Sequence, residues 1–184
     1  MNSPILEIPV PSLVLLIGSS GSGKSTFAAR HFQPTEIISS DRCRALICDD
    51  ESDQTINSEA FELLHHIARL RLQRRKLTVI DATNLQFRDR QPLLSLAQSA
   101  QVPAVAIVFD ISLETCLAYN QARLERQVAP AVLEHHQQLL ALTRSSIQTE
   151  GFARIYTVDK SDLPNLSIQR PGQKTESASD NRAA

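Results

Sequence analysis

A chain of 184 residues, 42% hydrophobic and 21% charged with a net charge of −1, has the size and composition of one globular domain with its own core. That near-neutral balance excludes a protein that coats nucleic acid through a broad basic surface and leaves room only for a small basic site. Cys43, Cys48 and Cys116 form no CxxC pair and no His-matched spacing, so they read as buried, reduced thiols rather than a disulfide framework or a zinc site.

The N-terminus lacks a charged leader, and no apolar run approaches the roughly 18 residues of a membrane span, which gives the expectation of a soluble, cytoplasmic protein. The first β-rich run, Leu13 to Ile17, leads straight into Gly18-Ser19-Ser20-Gly21-Ser22-Gly23-Lys24-Ser25, and a helix-like stretch follows, Thr26 to Phe32. This is a complete GxxxxGK[ST] loop in its strand-to-helix context. Glycines let the backbone curl with its N–H groups inward, forming an anion nest where the helix dipole also favours negative charge. A nucleoside triphosphate, ATP or another NTP, is the expected guest. Gly18 to Ser25 with Thr26 form its cradle, Lys24 reaches the β- and γ-phosphates, and the Ser25 hydroxyl completes a Mg2+ shell. The dinucleotide fingerprint fits less well, because Gly21-Ser22-Gly23-Lys24-Ser25-Thr26 lacks its third glycine.

The second run, Glu36 to Ser39, is followed by Ser40-Asp41-Arg42-Cys43-Arg44. Ligands of open parallel sheets bind beyond the carboxyl ends of the strands, which places Asp41 near the γ-phosphate and Arg44 one helical turn on. Asp41 is a candidate general base for an attacking hydroxyl; equally, it is a candidate N-cap for a helix Arg42 to Ile47. Arg44 reads as an acceptor-binding cation or a solvated helix charge. The acidic segment Asp49 to Gln54 reads as a solvated loop. Phe61, Leu64, Ile67, Ala68 and Arg71 then recur at helical spacing, and Arg74-Arg75-Lys76 sit where cations suit a helix C-terminus.

The third run, Leu77 to Asp81, opens Asp81-Ala82-Thr83-Asn84. Asp81 is a candidate strand-end carboxylate for Mg2+ or its waters, with an Asx-type turn as the alternative. Arg88 to Ala100 is predicted as a crossover helix before the fourth run, Val105 to Phe109. Ser112 opens a further helix carrying Tyr119, Asn120, Arg123 and Arg126, the two arginines sharing one face. They read as a lid over the phosphates or as solvated surface cations. Pro130 starts another helix with Val132, Leu133, Leu139, Leu140 and Ile147 as packing positions and Gly151 as a C-cap. His65-His66 and His135-His136 lack metal-ligand spacing and read as helix-surface or packing residues. A fifth run, Arg154 to Val158, closes the sheet, and the polar composition from about Ser161 predicts a disordered tail over 161–184. The alternation as a whole predicts an α/β fold with a central parallel sheet of about five strands and flanking helices over 1–160.

Taken together, Ile17 to Phe27, Ile38-Ser39-Ser40-Asp41, Asp49-Asp50-Glu51, Asp53-Gln54-Thr55, Leu77-Thr78-Val79, Asp81-Ala82-Thr83-Asn84 and Arg126-Gln127-Val128 resemble the kinase domain of bacterial polynucleotide kinase-phosphatase over roughly Leu13 to Tyr156. The phosphate loop is shared very widely; the Ser-Ser-Asp-x-x-Arg and Asp-Ala-Thr-Asn elements are far narrower. The resemblance implies a P-loop phosphotransferase with an α-helical lid at about 112–135. Its reaction is transfer of the γ-phosphate of ATP to a 5′-hydroxyl end of RNA or DNA, with Asp41 as base, Arg44 beside the acceptor, and Arg123 and Arg126 in the lid. Two departures stand out. Tyr119 occupies the place of an arginine that usually precedes the lid Asn120, removing one cation from the nucleotide, and no phosphatase or ligase-like region follows. That implies a stand-alone 5′ kinase, or a piece whose partners, such as a repair phosphatase or ligase, are separate chains, and pairing with a second copy stays open. The rival readings are a small-molecule hydroxyl kinase of the same fold and an ATP-binding regulator without acceptor turnover.

Overall fold

The computed structural model describes residues 4–122 and 127–171. Five strands form one all-parallel sheet: β2 (Leu13–Ile17), β3 (Ile37–Ser39), β4 (Thr78–Asp81), β5 (Ala104–Phe109) and β6 (Arg154–Val158), in the spatial order β3-β4-β2-β5-β6. The predicted runs agree with these strands to within a residue. Of the three inner strands, all buried along their length, β2 and β5 read as continuous apolar stretches because they are covered on both faces. In β2 every residue is fully buried, and alternate side chains serve opposite layers.

Leu13, Leu15 and Ile17 pack with α3 (Asn57–Gln73), α4 (Phe87–Ser99) and α6 (Pro130–Ser146) through Leu64, Leu72, Leu93 and Leu140. Val14 and Leu16 pack with α1 (Lys24–His31) and α5 (Leu113–Gln121) through Phe27, Ala28 and Cys116. The remaining helix, α2 (Ser40–Cys48), follows β3 directly. The C-terminus of α3 is closed by the Arg75 N–H, which bonds Leu72 O at 2.9 Å with Arg75 φ at +57°, while the Arg75 side chain donates to the carbonyls of Ala100 and Gln101 at 3.2 and 3.1 Å at the end of α4. Gly151 takes the left-handed conformation, φ +98°, just beyond a 3₁₀ turn, Ile147–Thr149, that extends α6. Among the described residues, no helix is long and apolar enough to cross a membrane.

The expectation of a disordered tail from Ser161 is corrected over 161–171. β7 (Ser167–Gln169) pairs in parallel with β1 (Ile5–Glu7), Ile5 opposite Ser167, as a small second sheet. Buried Leu166 joins Leu6 and Ile8 on the α1 side of the core, and Arg170 grips Glu36 with two bonds of 2.9 Å. Three apolar residues, Leu163, Leu166 and Ile168, suffice to dock a segment whose average composition is polar. The rest of the predicted tail, 172–184, lies outside the described residues.

Candidate active site

The phosphate loop runs from the end of β2, the central strand, into α1, which begins at Lys24. Gly21 and Gly23 adopt φ of +77° and +90°, and a Cβ on Gly21 would stand 2.6 Å from the Cys116 carbonyl oxygen. Conformation and close approach both demand glycine there. Lys24 donates to the carbonyls of Gly18 (2.9 Å) and Ser19 (2.7 Å) and to Ser22 Oγ (3.3 Å), so its ammonium is held at the loop by short, exchangeable contacts. The Gly18 N–H bonds Thr83 O at 3.0 Å, and Asn84 Nδ2 bonds Leu16 O at 2.8 Å. The Asp81 to Asn84 turn is therefore splinted to the loop.

A cavity of about 550 Å³ opens over this floor, lined by Ser20, Lys24, Ser25, Asp41, Arg44 and Asp81 among others. Three successive strand ends thus deliver the loop, Asp41 and Asp81 to one space. Ser39 caps α2, its Oγ accepting the Arg42 N–H at 3.5 Å, and Asp41 sits inside the first helical turn. The capping task weighed for Asp41 belongs to Ser39. Asp41 instead pairs with the guanidinium of Arg44 one turn on.

Arg44 is buried and also donates to Glu51 O (2.7 Å) and Asn57 Oδ1 (2.9 Å). Burial lowers its pKa from the ordinary value, with nearby Glu51 opposing, and the group stays cationic. It ties Asp41, the 49–56 segment and α3 into one unit. The solvated-loop reading of Asp49 to Gln54 holds, since all of these residues but half-buried Asp53 are exposed, and Ser52 and Gln54, with Asn57 and Phe61, also line the cavity. Asp50 and Asp53 shape this segment by accepting backbone and hydroxyl bonds from Ser52 and Thr55, which lower both carboxyl pKa values.

The opposite wall comes from the connection between α5 and α6. Asn120, buried, donates to Val128 O at 2.8 Å and accepts the Val128 N–H at 2.9 Å, a clasp that closes this connection at its base. Arg123 and Arg126 lie outside the described residues. Gln127, Val128, Val132 and His136 face the cavity. Val132, expected to pack in the core, is 41% exposed instead, whereas Leu133 and Leu140 are buried.

His136 is the residue the sequence reading missed. Its Nδ1 accepts the Ser20 N–H of the loop at 3.3 Å. Burial first, then the charge of Lys24, pull its pKa down to about 4, so the ring is neutral near pH 7. The signal present in the sequence was its i, i+4 relation to Val132, which puts both on one helix face.

A second cavity of about 550 Å³ lies on the other side of the loop, between Gly21, Gly23, Thr26, Tyr119, Leu163 and Pro164. Lys160 Nζ stands 6.0 Å from the Tyr119 ring centroid.

Beneath the site, fully buried Arg90 is forked onto Glu150, which is itself buried, and donates to Asn84 O at 2.8 Å. Thr143 of α6 donates to Leu85 O at 2.6 Å. Both hold the turn after Asp81 from below.

A phosphate loop on the central strand of an all-parallel sheet, facing a cavity shared with strand-end carboxylates, defines a nucleotide-binding P-loop kinase fold. The sequence matches the AAA_33 family, described as AAA domain, over residues 13–144, and the chain belongs to that family. No curated protein matches it in sequence. Among solved structures it is similar to a chain of the Pnkp1/Rnl/Hen1 RNA repair complex, with 24% identity and a TM-score of 0.65 over 75% of this chain and 46% of that one. The chain thus spans about half the length of that protein. A putative kinase from Chloroflexus aurantiacus (19% identity, TM-score 0.60, 84% and 87% covered) shares the fold. So does Chaetomium thermophilum Kti12 in complex with ADP-AlF3 (16% identity, TM-score 0.58, 82% and 90% covered).

Proposed function

We propose that this chain is a polynucleotide 5′-hydroxyl kinase that moves the γ-phosphate of ATP to a 5′-OH end of RNA or DNA. The observation that carries the reading is the convergence of Lys24, Asp41 and Asp81 on one cavity. The choice of acceptor rests on the Ser-Ser-Asp-x-x-Arg and Asp-Ala-Thr-Asn elements, since likeness to solved structures at this level speaks for the fold alone.

The donor base lies in the Tyr119 cavity, where the aromatic face and Lys160 stand in for the arginine this chain lacks. Its phosphates pass over Gly21 and Gly23, which border both cavities, and end beside Asp41. Lys24 exchanges its carbonyl contacts for phosphate oxygens. The role proposed for Arg123 and Arg126 is to neutralise charge on the moving phosphoryl.

Ser25 and Asp81 offer only hard oxygen donors, and among the described residues no group of three or more His, Cys, Asp or Glu gathers to cage a metal. So sparse a set suits Mg2+, with Ser25 as ligand and Asp81 acting directly or through water. When bound, the ion supplies charge neutralisation on the β- and γ-phosphates.

Asp41, held in place by Arg44, takes the acceptor proton as the hydroxyl oxygen bonds the γ-phosphorus and the bond to the bridging β-phosphate oxygen breaks. The acceptor enters along Ser52, Gln54 and Phe61. A separate phosphatase or ligase would complete end repair.

The test is a panel of acceptors with γ-labelled ATP and Mg2+: 5′-OH RNA and DNA oligonucleotides, free nucleosides and free sugars. Label is expected on the oligonucleotide 5′ end and abolished by Lys24→Ala. Label on a nucleoside or sugar with none on oligonucleotides overturns the acceptor; ATP bound with no acceptor labelled overturns the kinase.

A further inference from the structure

His136 belongs to neither the motifs nor the strand ends, yet it holds the most telling contact in the cavity. Its Nδ1 sits 3.3 Å from the Ser20 nitrogen, taking an N–H that the loop otherwise directs at an anion. An oxygen bonded to that N–H must occupy nearly the point where Nδ1 stands, so a phosphate arriving there meets the imidazole directly.

Which phosphate this is follows from the two cavities. The Tyr119 cavity and the Asp41 cavity share Gly21 and Gly23, and His136 faces only the second. A nucleotide whose base fills the first therefore presents its outermost phosphate to His136.

The ring is firmly mounted. Leu133 and Leu140 anchor α6 in the core, Gln137 donates to Ile111 O at 3.0 Å, and Thr143 ties the helix to Leu85. A neutral imidazole carries one donor and one acceptor nitrogen and exchanges them by tautomerisation, so the same ring that accepts from Ser20 can donate to a phosphate oxygen.

We propose that His136 reads the terminal phosphate: on loading, it yields the Ser20 N–H to a γ-phosphate oxygen and donates its own N–H to that phosphoryl group. This rests on the nucleoside triphosphate donor argued above, and not on the identity of the acceptor. His136 then separates triphosphate from diphosphate, which favours exchange of spent nucleotide after transfer.

The experiment titrates a non-hydrolysable ATP analogue and ADP, each with Mg2+, into the wild type, His136→Ala and His136→Gln, with thermal melting as the folding control. His136→Ala is expected to bind ADP within about twofold of wild type and the triphosphate about tenfold more weakly, the worth of one hydrogen bond to a charged group. His136→Gln, which keeps a donor and an acceptor, is expected to recover most of that loss. Equal losses for both nucleotides, or a triphosphate bound more tightly once the ring is gone, overturn the proposal. The measurement needs no acceptor, so its failure is distinct from failure of the acceptor panel.

Discussion

Side chains at the site answer demands that can be stated one at a time. Gly21 admits the loop past the Cys116 carbonyl, Ser39 frees Asp41 from capping, and Arg44 spends its donors on Asp41, Glu51 and Asn57. The histidines carry a different demand, that of staying neutral. His31, His65 and His136 all have pKa values lowered chiefly by burial, His136 from 6.5 to about 4. Below pH 6.5 the unfolded chain binds protons that the folded chain refuses. Their contribution is therefore complete above pH 6.5 and is lost as the pH falls below it, for His136 down to about 4. For His136, which is only half-buried, the loss is on the order of 1–2 kcal/mol after allowing for solvent screening. Urea melts between pH 7 and 4.5 are expected to show stability falling with pH, and His136→Gln is expected to flatten that fall. An unchanged slope in the variant would contradict the assignment.

At the level of elements, what could be read from the chain was what depends on local pattern. Continuous apolar runs gave β2 and β5, and the Gly-rich turn gave the start of α1, because burial on both faces and phosphate-loop geometry each leave a contiguous mark. Asp41 and Asp81 were legible as residues of one cavity because strand ends in a parallel sheet face one crevice. What escaped depends on partners far away in sequence. β1 and β7 pair across more than 150 residues, and His136 reaches the loop from a helix over 100 residues later. Arg90 and Glu150 are the deepest such case, a charged pair joining α4 to the turn after the 3₁₀ segment while Arg90 holds Asn84. Removing one partner leaves a buried, uncompensated charge. Glu150→Ala is expected to cost about 3–5 kcal/mol, and Arg90→Leu with Glu150→Leu clearly less than the sum of the single changes. Denaturant unfolding of the two singles and the double checks this; additive losses would show the pair to be independent.

On the scale of the whole molecule, one topological fact organises the rest. The strand bearing the phosphate loop is central, with β4 on one side and β5 on the other, so each neighbour's trailing turn flanks the loop. The β4 side, with β3 beyond it, supplies Asp81 and Asp41; the β5 and β6 side supplies α5 with Tyr119 and the Leu163-Pro164 segment. In the proposed reaction, a donor on one side and an acceptor on the other meet across the loop.

The most direct measurement of this account is the single-turnover rate of phosphate transfer to an oligonucleotide 5′-OH by Asp41→Asn, with ATP affinity determined alongside. Loss of the base in an intact cavity is expected to slow transfer about 10²–10⁴-fold while ATP affinity stays within about twofold. Transfer at the wild-type rate in Asp41→Asn would contradict it.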